Sequence, residues 1–174
     1  MISMVCRSVH RHAFPLSSYR ARLKRLLRLL DLSESELSVL LIDDDEMQVL
    51  NRDYRGRDKT TDVLSFPQLS EVTLSRLWQA PTVLGDIVLS LETVTRQAQR
   101  GCLERLKPSL GRRWEAWSIL DEATFLSIHG LLHLLGHDHL EDEDAAKMEA
   151  CEGRLLSALL SRGRTKYSAQ WFLD

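Results

Sequence analysis

The chain has 174 residues, 44% of them hydrophobic and 28% charged, a balance that excludes a disordered tail or a fibre and suits one globular domain over 1–174. Its 23 basic and 25 acidic side chains leave a formal net charge of −2, which excludes a protein that coats nucleic acid by bulk charge while leaving room for a local basic patch. At this length roughly 70% of the unfolded chain's surface can be buried, so a metal is not needed to hold the fold and would need a functional explanation.

The three cysteines, Cys6, Cys102 and Cys151, are odd in number and far apart, which argues for small buried thiols in a reducing compartment rather than a disulfide framework or a cysteine-rich zinc site. No apolar run approaches the roughly 18 residues of a membrane span. The first thirty residues carry Arg7, Arg11, Arg20, Arg22, Lys24, Arg25 and Arg28 with no acid, a bias shared with organelle transit peptides. No apolar signal region precedes a small-residue cleavage site, and the expectation is a cytoplasmic protein without a membrane partner.

In chain order, residues 1–17 are weakly determined, and residues 18–30 read as an amphipathic helix. Leu23, Leu26, Leu27 and Leu30 form its apolar stripe, and Arg22, Lys24, Arg25 and Arg28 form a basic face expected to be solvated. Leu37 to Ile42 reads as a buried strand. It enters a helix, ending near Tyr54, whose first turn holds Asp43, Asp44, Asp45 and Glu46; helix capping explains these acids better than a cation loop, because the glycine and regular spacing of a calcium site are missing. Val63 to Phe66, stopped by Pro67, and Val83 to Leu89 read as strands, with a polar connection over 68–82. A helix to about Arg100 is broken by Gly101, and a basic loop over 100–113 follows. A helix beginning near Trp114 and a last one over Asp142 to Leu160 complete the pattern, and 165–174 is weakly determined. The expected class is α+β, a small, mostly four-stranded sheet packed with about five helices, one of them a zincin-like metal helix.

Four of the six histidines fall between His129 and His139, in His129-Gly130-Leu131-Leu132-His133-Leu134-Leu135-Gly136-His137-Asp138-His139. His129 and His133, four residues apart, stack on one helix face and can aim ring nitrogens at one ion. Gly136 can take the left-handed conformation that turns the chain back and lets His139 supply a third ligand. For this composition the spacing His-x3-His-x2-Gly-x2-His has a chance expectation of roughly 3 in 10,000, so accident is a poor explanation. Two other readings stay open. The rings could be satisfied core histidines, each needing a buried partner among the leucines, or a closed structural zinc site completed by His137 or Asp138. His137 is otherwise read as exposed, and Asp138 as an orienting carboxylate beside the ligands or a turn cap.

Three neutral ligands and an open position suit Zn²⁺, one per chain, although imidazoles also accept Ni²⁺, Co²⁺ or Cu²⁺. Such an ion activates water for hydrolysis. The spacing matches the extended zinc-protease pattern His-Glu-x-x-His-x-x-Gly-x-x-His, but Gly130 stands where that pattern has its general base, and losing the base costs roughly 100- to 10,000-fold. A phosphodiester asks less of a base and more of nearby cations. Arg52, Arg55, Arg57 and Lys59 gather around Gly56 where a helix ends and a strand begins; they are either solvated charge or a phosphate grip. If this turn faces the metal, Arg55 can hold a phosphate bidentately and Tyr54 can stack on a base of single-stranded RNA.

These stretches resemble the YbeY endoribonuclease family. HGLLHLLGHDH, residues 129–139, is similar to the family's HGxLHLxGYDH signature; YRGRDKTTDVLSFP, residues 54–67, to its YRGKDKPTxVLSFP block; and Leu84-Gly85-Asp86-Ile87 to a shorter third block. The likeness covers most of 18–160. It implies that His129, His133 and His139 ligate a metal, zinc in type, and that Arg55 is the active-site arginine. His137 replaces the family's usual Tyr, and Thr60 replaces a Pro, which is expected to loosen the turn before the strand. The loop 100–113 is longer than usual, either an extension of the RNA track or an ordinary insertion, the latter being favoured.

The expected function is therefore a single-strand-specific, metal-dependent endoribonuclease using metal-activated water. Its catalytic residues are Arg55, His129, His133 and His139, with Tyr54, Arg57 and Lys59 as RNA contacts. The resemblance implies a place in maturation of the 16S rRNA 3′ end and in ribosome quality control, with rRNA and ribosomal small-subunit proteins as partners. The alternatives are a non-catalytic, ribosome-associated rRNA-binding factor with a structural metal, or a protease-like metallohydrolase.

Overall fold

The computed structural model describes residues 1–74, 77–137 and 141–161. Asp138 and His139 lie outside the described residues, as does the segment 165–174. In chain order the elements are β1 (Ile2–Cys6), a 3₁₀ turn (Val9–His12), α1 (Leu16–Leu29), β2 (Glu36–Ile42), α2 (Asp44–Arg55), β3 (Val63–Pro67), the one-turn α3 (Glu71–Leu74), β4 (Val83–Ser90) and α4 (Leu91–Arg100). A 3₁₀ turn (Glu104–Leu106), the one-turn α5 (Lys107–Leu110) and a second 3₁₀ stretch (Gly111–Ala116) lead to α6 (Ile119–Leu134) and α7 (Asp142–Leu160).

The sheet order is β1-β2-β4-β3, with β1–β2 and β2–β4 parallel and β3 antiparallel on the edge. The class is α+β, four strands with five longer helices among the described residues. Three strands and five helices stand where the pattern places them. β1 forms in a segment whose local pattern was too weak to assign, and it is held by register with β2, from Ile2 opposite Leu37 to Cys6 opposite Leu41. The expected helix start near Trp114 is displaced to Ile119, because Ser118 and Asp121 make a reciprocal capping box there.

One face of the sheet carries the main core. Val39 and Ile87 pack with Leu23 and Leu26 of α1 and Leu30 just after it, Ile128 and Leu131 of α6, and Leu155 and Leu159 of α7. Truncating one of these aliphatic side chains to Ala is expected to cost about 2–5 kcal/mol. α2 lies over part of the opposite face, where Met47 joins Ile42, Leu64 and Val88 in a smaller cluster.

The basic face of α1 is only partly solvated, contrary to expectation. Arg22 donates to Asp121 Oδ1 at 2.8 Å and to Leu120 O at 3.2 Å, holding the start of α6. Arg25 donates to Ala158 O and Leu159 O at 3.0 Å and to Ser161 O at 3.1 Å, placing a cation on the negative end of α7. Lys24 and Arg28 remain exposed.

The acids opening α2 sit at its positive end as expected but do not cap it through their side chains. Asp43 accepts from Ser8 Oγ and from Val9 N at 2.9 Å, fastening the segment after β1. Asp44 accepts from Thr93 Oγ1 at 2.7 Å and from Ser90 Oγ, and pairs with Arg96 at 2.6 Å. Burial alone would raise the Asp44 carboxyl, but these hydrogen bonds and the Arg96 charge outweigh it and hold the group below the ordinary carboxylate range.

Cys102 and Cys151 are buried and Cys6 is half-buried, all as free thiols; burial raises each, Cys102 to about 11. Among the described residues no helix is long and apolar enough to cross a membrane.

Candidate active site

α6 is buried along most of its length and delivers His129 and His133 to its one open flank. The two rings meet edge-on with centroids 4.7 Å apart. Each is oriented through Nδ1. His129 Nδ1 donates to Glu152 Oε1 at 2.7 Å, and His133 Nδ1 donates to the carbonyl of His137 at 3.0 Å. A neutral ring that donates from Nδ1 carries its lone pair on Nε2, so both rings are set in the tautomer a metal ligand needs.

The second of these contacts depends on how α6 ends. Gly136, at φ +88°, turns the chain back as its position in the motif anticipates, and His137 N bonds to Leu132 O at 3.0 Å. That turn brings the His137 carbonyl under the ring of His133. His137 itself is half-buried at the cleft rather than exposed, and burial lowers its imidazole against the opposing pull of Asp144.

Glu152, on α7, was not found from the sequence. It is 1% exposed and lies on the apolar stripe with Met148 and Leu156, where a carboxylate needs a partner. An acid on an otherwise apolar helical stripe was the available signal. Asp138, the carboxylate proposed for this orienting role, lies outside the described residues.

Gly130 explains the absent general base in steric terms. A Cβ there would lie 2.9 Å from Ser65 Oγ and 3.3 Å from Ile87 Cγ2, so α6 touches β3 and β4 at the position where the protease pattern carries its glutamate. A side chain there would require Ser65 and Ile87 to give way.

A cleft of about 810 Å³ opens beside the histidines. Arg55, Arg57 and Lys59 line it together with His129 and His133, which is the proximity that spacing alone could not establish. Arg55 reaches across β3 to donate to Ser65 O at 3.0 Å, and Asn51, buried on α2, holds the turn by donating to Lys59 O at 2.7 Å. Thr60 ties the same turn down through its hydroxyl to Asp44 Oδ1 at 3.3 Å, so the exchange for proline adds an anchor where loosening was expected. Tyr54 is not brought to this cleft. It stands on the other side of β3, 65% exposed and edge-on to Phe66.

Farther along α6, Glu122 is 3% exposed and accepts from Trp117 Nε1 at 2.6 Å. Burial raises its carboxyl, the Trp117 bond opposes this, and the charge of Asp62 adds to it. Among the described residues no group of three His, Cys, Asp or Glu side chains surrounds one point. The two oriented imidazoles nonetheless fit a divalent ion in donor type and tautomer, and the remaining residue of the motif, His139, lies beyond the description.

A family model described as Endoribonuclease YbeY matches residues 9–160. The chain is 42% identical over 124 residues to the Endoribonuclease YbeY of Paramagnetospirillum magneticum, covering 71% of this chain and 67% of that protein. It is 41% identical over 146 residues to the Endoribonuclease YbeY of Syntrophus aciditrophicus, covering 83% and 81%. A solution structure of a Thermotoga maritima protein shares the fold, with a TM-score of 0.56 at 23% identity over 91% of this chain and 88% of that one. With the matched region spanning both the cationic turn and the histidine helix, the chain belongs to the Endoribonuclease YbeY family.

Proposed function

We propose that the protein is a metal-dependent endoribonuclease that cuts unpaired RNA in the cleft between α6 and the turn after α2. The observation that carries this is the convergence of two Nδ1-anchored imidazoles and three cationic side chains on one cavity. The names of the related proteins, Endoribonuclease YbeY, support RNA as the substrate class.

His129, His133 and His139 would hold the ion, zinc or another divalent cation such as Ni²⁺, which when bound supplies charge neutralisation and activation of water. Glu152 fixes the ring of His129, and the His137 carbonyl fixes that of His133. Arg55, already at the β3 edge, grips a phosphoryl oxygen and stabilises the charge that develops there, while Arg57 and Lys59 hold flanking phosphates. Gly130, packed against Ser65 and Ile87, offers no carboxylate at the position where the protease pattern has its general base, which disfavours the protease-like alternative.

At the cellular level we assign the activity to maturation of the 16S rRNA 3′ end and ribosome quality control in the cytoplasm, with the small ribosomal subunit as the working partner. The test is to incubate metal-replete protein with unpaired and duplex RNA, with and without chelator, and to read the product termini. Cutting confined to unpaired RNA and abolished by chelator is expected. Cutting that survives chelation, or release of peptides from unstructured protein in its place, would contradict the proposal.

A further inference from the structure

The cleft beside the histidines is cationic along one wall, yet it also carries a carboxylate that the proposed chemistry does not use. Asp62 lines the cleft just ahead of β3, and among the described lining residues it is the one acid beside Arg55, Arg57 and Lys59. It is half-buried and makes no ion pair among the described residues. A phosphate strand drawn in by the cations is repelled by this group, a cost to binding unless the strand also presents a donor to it.

The carboxylate is pinned by the residues around it. Oδ1 accepts from Val63 N at 2.8 Å and from Thr61 Oγ1 at 3.2 Å, and Oδ2 accepts from Gln97 Nε2 on α4 at 2.8 Å. A carboxylate offers about four acceptor positions, so Oδ2 keeps one open. The neighbouring hydroxyls cannot fill it: the hydrogen of Thr61 is spent on Oδ1, and that of Thr60 on Asp44 Oδ1 at 3.3 Å. On the amide that holds Asp62, Gln97 Oε1 is buried with no partner among the described residues, a further acceptor without a donor. This end of the cleft is short of donors, and a ligand complements it by bringing one.

An RNA strand carries two kinds of donor, the N–H groups of its bases and the ribose 2′-hydroxyl. Base donors change from one nucleotide to the next. The hydroxyl is present at every nucleotide, sits on the backbone beside the phosphates that the cations hold, and is the group that DNA lacks. The spacing agrees with this: Ser65 O, where Arg55 is anchored, lies three residues beyond Asp62, about 10 Å at strand spacing. A strand laid along β3 with a phosphate on Arg55 therefore carries a neighbouring sugar to Asp62.

Resting on the endoribonuclease reading, we infer that Asp62 is the residue by which the cleft tells RNA from DNA. Its open Oδ2 position accepts a hydrogen bond from a ribose 2′-hydroxyl of the bound strand.

The test holds the base fixed and changes only the sugar. A uracil-rich and an adenine-rich sequence are each made as RNA, as the 2′-deoxy strand with uracil kept, and as the 2′-fluoro strand, which favours an RNA-like sugar pucker without a hydroxyl donor. Binding to metal-replete protein is read by fluorescence anisotropy on ice, within the time for which a gel shows every strand intact. Wild type is expected to bind RNA about tenfold more tightly than either hydroxyl-free strand, in both sequences. Asp62→Ala should remove that ratio, and Asp62→Asn, which keeps an acceptor without the charge, should leave an intermediate one. A merely structural role would weaken the three strands together and leave the ratio unchanged. An unchanged ratio in Asp62→Ala, a 2′-fluoro strand that binds as RNA does, or a preference that follows the base overturns the assignment. Cutting of RNA by the wild type is scored separately: its failure overturns the endoribonuclease reading, whereas cutting with an unchanged ratio in Asp62→Ala overturns only the role of Asp62.

Discussion

The turn at 52–59 and the loop at 100–113 are both short basic stretches, yet they meet different surroundings in the fold. In the loop, Lys107 pairs with Glu104 and lies 4.4 Å from the centre of the Trp114 ring. Arg112 pairs with Glu115 at 3.4 Å, and Arg113 reaches Asp121 at 3.7 Å. Gly153 lets the loop seat on α7, because a Cβ there would lie 2.9 Å from Ser109 Oγ. In the turn, Asp53 answers only Arg52, while Asp58 accepts from Gln48 and Asp62 from Gln97. Arg57 and Lys59 have no ion pair among the described residues, and Arg55 bonds only to a backbone carbonyl there. The loop's cations are therefore answered by acids around them, whereas those of the turn line the cleft. Density of positive charge along a sequence marks neither; what separates them is whether nearby acids answer it.

Truncating one arginine in each stretch separates the two most clearly. Arg55→Ala should lower kcat/KM for unpaired RNA by about 100-fold or more, while Arg112→Ala should stay within about twofold. Equal losses would place the loop in the substrate path. Glu152→Gln should weaken retention of the divalent ion by about 10- to 100-fold, measured by competition with a chromogenic chelator, because the ring of His129 loses its charged acceptor. Gly130→Ala should cost about 1–3 kcal/mol in urea unfolding, since the added methyl meets Ser65 and Ile87; an unchanged midpoint would show that these side chains give way freely. Arg57→Ala combined with Lys59→Ala should reduce the slope of log affinity against log salt by about 1.4, which Arg112→Ala combined with Arg113→Ala should not do.

The smallest expected effect concerns Asp44. A carboxyl held below its unfolded value stabilises the folded state above that value, and the contribution is lost as pH falls through the folded one. Asp44→Asn should thus be less stable than wild type at neutral pH, with the difference closing below about pH 4. A gap that persists into acid would mean the carboxylate charge contributes nothing beyond shape.

Much of this was legible in the sequence because the signals were local. The strand at 63–67 ends at its proline, α7 runs from Asp142 to Leu160 as its acid-rich start and apolar stripe foretell, and the His129/His133 spacing already fixed two rings on one face. β1 was not legible, since five residues on a parallel edge draw their conformation from β2 rather than from their own propensity. The same holds for Arg22 and Arg25, whose partners lie about a hundred residues away on α6 and α7. The start of α6 was readable and overlooked, in the capping pair Ser118 and Asp121. The side of β3 on which Tyr54 falls required the register, and with it the separation of Tyr54 from Arg55.

On this reading an ion held by His129, His133 and His139 works with Arg55 on RNA. The most direct test is stepwise return of Zn²⁺ to chelator-stripped protein, following ion uptake and cleavage of unpaired RNA together for wild type and Arg55→Ala. The expected result is that both proteins take up one ion per chain and that cleavage rises in step with uptake only in the wild type. Cleavage by the stripped protein, or cleavage by Arg55→Ala at the wild-type rate, would contradict the claim.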